Sequence, residues 1–585
     1  MKATENKNLL SVLLTFVLLS STNLWAQKQK QDIENVTAEA NREVPEAYRI
    51  AEMPKIIDTV IKHKETSYSL LALKYNTAIK VDTIQAAKIN LKDKLPQLYN
   101  TYIRLGIGYP LMPLADIYFN NKRSRNYFYG FNINHISGFH KMKHYPQSNF
   151  DRTKANLYFG YRKEKWSADA NVIGNFRGLN YYGVRDKEVS KDTIKQRFNE
   201  LGFNTHFASH KKDSANLNYS FDLSYRNFSD RKLKNDSLRN GWNARENYVD
   251  FAPKFWYKWG NEIFGIDAGV KYNGYRYGQA GTSTYIKDST AIDSGLVVNN
   301  TVVNLKLHAT TFAFDNKLKA TVGVNLVYDV GIINKFRAYP IAEVKYNLLN
   351  GIFIPYLNVG GGLTQNSYRS MSYINEFLLP NQQLRNESNT IRAELGIRGT
   401  ITNKIGFNVS AEFGNFKDKL LFVTDTLFSY DNNKFKAIYD TMNVGKIEGS
   451  IYYQLNEKIK LDVIGRYYSY MTRNEIFAWN LPSTQFIFRG SYNLYDKFLV
   501  GLNFNLEGGR KAKVYQGGAK IIEEDGQYAQ NLGFIYDIDL HFEYRYNPRI
   551  SVFLDLNNVA HNQYRRWLNY QTYGFQVMGG CTIRF

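Results

Sequence analysis

The stretch Leu217-Asn218-Tyr219-Ser220-Phe221-Asp222-Leu223-Ser224-Tyr225-Arg226 sets an apolar or aromatic residue at every odd position and a polar or charged one at every even position. A strand sends successive side chains to opposite faces, so this segment has one face for an apolar environment and one for water. Ala155 to Arg162 repeats the pattern, with Ala, Leu, Phe and Tyr opposed by Asn, Tyr, Gly and Arg. Ile405, Phe407, Val409, Ala411 and Phe413 likewise alternate with Gly406, Asn408, Ser410 and Glu412. About 20 to 22 such segments follow one another from Tyr99 onward, and no Pro/Gly/Ser-rich linker interrupts them. A soluble sandwich of that many strands would split into several domains. The expected fold is therefore all-β: a transmembrane antiparallel β-barrel over residues 98–585, of about 20 to 22 strands, preceded by a short, mostly irregular segment.

Composition agrees. The 585 residues include 45 Tyr and 37 Phe but only 12 Pro, and aromatic rings suit both strands and membrane interfaces. A mean hydropathy of -0.44 and the lack of apolar runs of about 20 residues beyond the N-terminus argue against a helical membrane protein. The single Cys581 makes no intramolecular disulfide or thiolate cluster.

Lys2 and Lys7, the apolar run Leu9 to Leu19, and Trp25-Ala26-Gln27 read as a signal peptide over 1–26, with cleavage after Ala26. No Cys follows the apolar run, which excludes a lipoprotein. Residues 27–97 are polar and charged with little alternation, and are expected to be a periplasmic or lumenal segment. A net charge of +22 is compatible with nucleic acid, but export and the scatter of the basic residues argue against that partner. Anionic lipid head groups of an outer membrane, an anionic solute or an acidic protein fit better.

Connections alternate in length. Short turns such as Asn120 to Arg123 contrast with polar stretches at about Gly178 to Lys195, Ser229 to Glu246, Gly278 to Asn300 and Ser367 to Asn389, as expected for periplasmic turns and external loops. Tyr127, Phe128, Tyr129 and Phe131, and Phe255, Trp256, Tyr257 and Trp259, are candidate girdle segments. In the last segment Phe575, Val577, Gly579, Cys581, Ile583 and Phe585 share a face. A final amphipathic strand ending on an aromatic resembles the signal read by the barrel-assembly machinery. Phe575, Val577, Ile583 and Phe585 would carry it.

Phe542 to Tyr546, Ile550 to Asn558, then Tyr564, Gly574, Gly579 and Phe585 resemble the last three strands of TonB-dependent receptor barrels. That resemblance implies an outer-membrane receptor of about 22 strands coupled to TonB. The family carries a plug domain of well over a hundred residues, which the segment before Tyr99 does not accommodate. Within it, Ile33, Glu34, Asn35, Val36, Thr37 and Ala38 are similar to the family's energy-coupling box. Ala47 to Ile50, Met53-Pro54 and Tyr99 to Tyr102 resemble a plug-poor branch of receptor-like barrels found in the Bacteroidota.

No catalytic constellation emerges: the 9 His are scattered and no glycine-flanked nucleophile elbow is present. The loose group His135, His140 and His144 reads as solvated loop histidines more readily than as a metal site. Asp186, Asp192, Asp425, Asp431, Asn432 and Asn433 lack a calcium-loop register. Gly106, Gly108, Gly360, Gly361 and Gly362 fall inside strand patterns and suggest bulges. Neither enzyme activity nor a cofactor is expected. Arg104, Lys271, Lys306, Arg392, Glu394, Arg398 and Glu412 are expected to line a wet lumen and to favour anionic or zwitterionic solutes. The expected function is porin-like or receptor-like transport of a solute or polymer across the outer membrane, with 27–97 partly filling the lumen. The alternative is a structural or assembly subunit closed by another envelope protein.

Overall fold

The computed structural model describes residues 98–585 apart from 211–216, 232–242, 279–284, 288–289, 293–295, 457, 516–520 and 525. Residues 1–97, with the expected signal peptide and Ile33 to Ala38, lie outside the described residues. All of the described chain belongs to the unit Asp93–Phe585.

Alternation in the sequence becomes a ring of 22 antiparallel strands. In chain order these are β1 (Thr101–Tyr109), β2 (Met112–Asn120), β3 (Tyr127–Gly138), β4 (Phe150–Arg162), β5 (Trp166–Asn180), β6 (Lys195–Ser209), β7 (Leu217–Asp230), β8 (Ala244–Trp259), β9 (Glu262–Tyr277), β10 (Leu296–Ala313) and β11 (Leu318–Val330). The second half comprises β12 (Lys335–Tyr346), β13 (Ile354–Thr364), β14 (Glu387–Thr402), β15 (Ile405–Thr424), β16 (Phe435–Leu455), β17 (Ile459–Thr472), β18 (Thr484–Leu494), β19 (Phe498–Gly508), β20 (Ile535–Arg545), β21 (Ile550–Asn557) and β22 (Gln576–Arg584). Each strand pairs with its neighbours, and β1 closes on β22 with Tyr102 opposite Arg584 and Tyr109 opposite Val577. The Phe585 carbonyl seals the seam by accepting from the backbone N–H groups of Asn100 and Thr101 at 3.1 and 2.9 Å. Closure leaves no unpaired sheet edge, which is the condition for strands to cross an apolar layer.

Both ends of the ring's chain and the tight turns 260–261 and 403–404 lie at one rim. The connections 139–149, 181–194, 278–295, 365–386, 509–534 and 558–575 lie at the other. Two connections at that second rim, 110–111 and 331–334, are short.

The outward face is apolar around the ring. Ile107, Leu157, Val172, Leu201, Val322, Leu395 and Val409 are all exposed, a belt far larger than a water-soluble surface tolerates and suited to hydrocarbon. Within the candidate girdle segments Tyr127, Tyr129, Phe131, Tyr257 and Trp259 are exposed. Phe128 turns inward, where its ring lies under the Arg162 guanidinium at 5.0 Å.

Glycine is required where the wall bends. Strand β13 shifts register against β14 between Gly360 and Gly362, and a Cβ at Gly361 would stand 2.8 Å from the Asn389 carbonyl oxygen. This bulge tilts the strand end from which the 365–386 connection departs.

Strands β15 and β16, of 20 and 21 residues, are about twice the length needed to span a bilayer. Their upper ends project at the long-loop rim, beyond a register shift between Phe416 and Lys419. There Leu420, Leu421, Phe422, Val423 and Phe435 are buried.

Candidate functional site

The long-loop rim is closed by the chain itself. Residues 365–386 form a short cap built on the helix Tyr368–Ile374. Ser367 starts it through a reciprocal capping box: its hydroxyl accepts from the Ser370 N–H, and the Ser370 hydroxyl accepts from the Ser367 N–H. Tyr368, Met371 and Ser372, spaced by three and four residues, form the buried side. The chain then runs extended and makes a parallel bridge from Leu378 to Phe435.

This cap is tied to the inward face of every strand from β4 to β11. Arg152 of β4 reaches Glu376 at 3.2 Å. Arg177 of β5 donates to the Ser372 carbonyl and hydroxyl at 3.0 and 2.8 Å. Glu200 of β6 accepts from Arg369 at 2.7 Å and from the Tyr373 hydroxyl. Asp230 of β7 accepts from the Tyr368 hydroxyl at 2.9 Å, and Glu246 of β8 from the Arg369 N–H at 2.7 Å. The Tyr275 hydroxyl of β9 donates to the Pro380 carbonyl. Asn386 bonds Asn300 of β10 and Asp329 of β11 at 3.0 and 2.9 Å.

On the far side the cap meets the projecting hairpin and the last loop. Phe377 stacks on Tyr570 with centroids 3.5 Å apart, and Arg385 pairs with Asp418 at 3.2 Å. A hydrophobic core fills the mouth, joining Tyr181 and Ile194, the wall residues Phe198, Phe228 and Tyr275, the cap residues Tyr368, Met371 and Leu378, and Phe435, Trp567 and Tyr570. A barrel wall rich in inward polar groups thus carries, among the described residues, a packed apolar core at the end where the connections converge.

Burial, with the Glu200 carboxylate beside it, pushes the Tyr373 hydroxyl up to about 12. Burial also raises the hydroxyls of Tyr182, Tyr368 and Tyr570 well above the ordinary tyrosine range. A cleft of about 350 Å³ remains beside the cap. Arg152, Glu376, Asp537, Asp539, Tyr564 and Tyr573 are among its lining residues.

Of the seven charges picked out in the sequence, Arg104, Lys271, Lys306, Arg392, Glu394 and Glu412 each have an exposed apolar neighbour on the opposite face. Arg104 pairs with Asp555 at 2.5 Å, and Lys271 and Lys306 approach Asp250 and Asp267 at 3.9 Å. Arg392 and Lys446 both bind Glu412, at 2.8 and 2.9 Å, and Arg466 binds Glu448 at 2.8 Å. Glu394 adds to this ladder at 3.7 Å from Arg392, and Arg398 lies 5.7 Å over the Tyr356 ring. The basic members are largely matched by wall carboxylates.

The three histidines part company. His135 bonds Thr153 at 2.8 Å, His144 bonds Asp186 at 2.6 Å, and His140 packs edge-on against Tyr573. Among the described residues no group of His, Cys, Asp and Glu is arranged to hold a metal ion. Several of the loop acids and amides fasten loops together: Asp431 pairs with Lys187 at 3.1 Å, Asp425 accepts from the Leu427 N–H at 3.0 Å, and Asn433 donates to the Tyr181 carbonyl at 3.0 Å. Phe575, Val577, Ile583 and Phe585 stand on one face of the closing strand; Phe575, Ile583 and Phe585 are exposed.

Sequence reasoning passed over Glu200, Asp230, Glu246 and the cap. Ser367-Tyr368-Arg369-Ser370 carried a capping signal inside a stretch read only as a polar loop. The inward acids had the right strand phase but no cue to their distant partners.

No known family model matches the chain, and no curated protein matches it. Solved structures do. The FrpB iron transporter from Neisseria meningitidis superposes with a TM-score of 0.61 at 10% identity, over 84% of this chain and 82% of that one. The siderophore receptor PirA from Acinetobacter baumannii gives 0.60 at 10% identity, over 84% and 81%. The ferripyoverdine receptor of the outer membrane of Pseudomonas aeruginosa gives 0.59 at 11%, over 84% and 72%. At such identities what is shared with these neighbours is the fold.

Proposed function

We propose that the chain is an outer-membrane, receptor-like barrel that carries a solute or polymer across the outer membrane, with the 365–386 connection as its gate. The observation that carries this reading is the cap's attachment to eight successive strands, β4 to β11, through side chains that project into the lumen. A structural scaffold has no need of a closable mouth over a charged, wet interior.

Wall cations already neutralised by carboxylates suit a zwitterionic solute better than a simple anion. Residues 1–26 act as the export signal, and 27–97 serve as the periplasmic or lumenal segment, with Ile33 to Ala38 as the contact for TonB. The plug-poor, Bacteroidota-type resemblance belongs to the same reading, and Phe585 with its strand is the mark for the barrel-assembly machinery.

Planar-bilayer conductance tests the gate. The full-length protein should be closed, deletion of 367–384 should open it, and deletion of 27–97 alone should not give the same conductance. A full-length protein that conducts like the 367–384 deletion overturns the gate. Loss of TonB-dependent uptake on deleting 33–38 is the expected result for energy coupling, and unchanged uptake removes it.

A further inference from the structure

A second feature lies on the outside of the barrel, at the long-loop end of β7 to β10. Arg245 of β8 and Arg276 of β9 are register partners, and both are exposed. The residues flanking Arg276, Tyr275 and Tyr277, are fully buried on the inward side, as are Ala244 and Glu246 beside Arg245, so both arginines face outward. Like charges directly opposite on neighbouring strands repel. Neither arginine has a carboxylate within ion-pair reach among the described residues.

The next row toward the belt is Asn227, Asn247, Gly274 and Asn299 on four adjacent strands. The Tyr272 hydroxyl lies over Gly274, where a Cβ would stand 2.7 Å from it, and beside them is a groove of about 370 Å³ whose lining includes both arginines, these three asparagines and Tyr272. The side-chain oxygens of Asn247 and Asn299 are already used. Asn247 accepts from the Tyr225 hydroxyl at 3.0 Å and from Asn227 at 2.8 Å, and Asn299 accepts from the Tyr272 hydroxyl at 3.0 Å. The amide groups of Asn247 and Asn299 remain as donors beside two guanidinium groups. A groove furnished with donors and positive charge, and with no carboxylate among its described lining residues, calls for an anion held bidentately.

Its height identifies the source of that anion. Below the pair the apolar belt runs through Tyr272, Val270, Phe251 and Val303, with Val297 the one exposed apolar side chain among the described residues of the arginines' own row. Arg276 follows Tyr272 by four residues, about 13 Å along the strand. That places the pair where lipid phosphates lie above a hydrocarbon layer.

We propose that Arg245, Arg276, Asn247 and Asn299 bind the phosphate of a lipid headgroup in the leaflet around the long-loop end. The site rests on the membrane reading but not on the gate. Native mass spectrometry of the full-length protein in zwitterionic detergent, with added diphosphoryl lipid A, should show a retained lipid. The double variant Arg245→Gln/Arg276→Gln should lower its occupancy about tenfold or more, and dephosphorylated lipid should not be retained. Asn247→Ala/Asn299→Ala should weaken retention too, and keeps the test open if the arginine variant fails to fold. Equal retention by a folded double variant overturns the site. Displacement of the lipid by inorganic pyrophosphate at equal concentration overturns the lipid assignment in favour of a free anion. Failure of the wild-type protein to insert into phosphatidylcholine vesicles would instead sink the membrane reading on which the site stands.

Discussion

The Glu200 carboxylate, 3% exposed, accepts from Arg369 Nε at 2.7 Å and stands 3.4 Å from Arg226 Nε of the wall. One buried acid on β6 thus holds a cation of the cap against a cation of the barrel. Removing the carboxylate leaves two guanidinium groups facing each other without a counter-charge, at a cost of about 3 kcal/mol. Glu200→Gln should therefore shift the closed–open balance of the cap toward open by about a hundredfold. Increased trypsin cleavage at Arg369 and more frequent opening in single-channel records would report it. Unchanged protection of Arg369 would show that Glu200 does not latch the cap.

The cap should also respond to alkali. Tyr373 ionises at about 12 when the cap is seated and near 10 when released to water. The seated state binds the phenolic proton more tightly, so its advantage is complete below pH 10 and is lost as pH rises from 10 to 12. Tyr182, Tyr368 and Tyr570 act in the same direction. Conductance is expected to rise across that window, and Tyr373→Phe should make the rise shallower. A flat profile in the wild-type protein would contradict the linkage.

The wall was legible because its physics is local. Leu217 to Arg226, Ile405 to Phe413 and the closing strand to Phe585 each declare two environments by a period of two, and that phase also placed Arg104 and Glu412 on the inner face. The mouth was not legible for the opposite reason. Tyr368 meets Asp230, and Phe377 meets Tyr570, across sequence separations of 138 and nearly two hundred residues. No periodicity encodes such pairings, and the polar composition of 365–386 concealed a segment in which Tyr368, Met371, Phe377, Leu378, Leu379 and Leu384 are buried. The charge balance of the lumen was half visible: Arg392 and Glu412 could be read as lining residues, but not their shared ladder with Lys446 and Arg466.

The phase of the wall has a direct consequence for substitution. Leu157, 59% exposed, faces outward, while its neighbour Asn156 points into the lumen opposite Asn132. Leu157→Arg should destabilise the inserted barrel by about 2–4 kcal/mol and reduce the heat-resistant, fast-migrating form on gels. Asn156→Arg, with lumenal water at hand, should leave that form largely intact. Equal loss in both variants would mean that the two faces do not see different solvents.

The charge ladder on β14 to β17 gives the last test, because its parts act on permeation and not on the gate. Glu412 receives Arg392 at 2.8 Å and Lys446 at 2.9 Å, so it neutralises two wall cations at once. Glu412→Gln removes one negative charge from the ladder and leaves Arg392 and Lys446 only their longer approaches to Glu394 and Glu448, each at 3.7 Å. In the opened 367–384 deletion background, reversal potentials under a salt gradient should shift toward anion preference. The shift should shrink as ionic strength rises, because charges lining a wide, wet lumen are screened within about 10 Å at 0.1 M salt. Arg392→Gln in the same background should move the potential the opposite way. If neither variant changes the reversal potential, ions do not pass along this part of the wall.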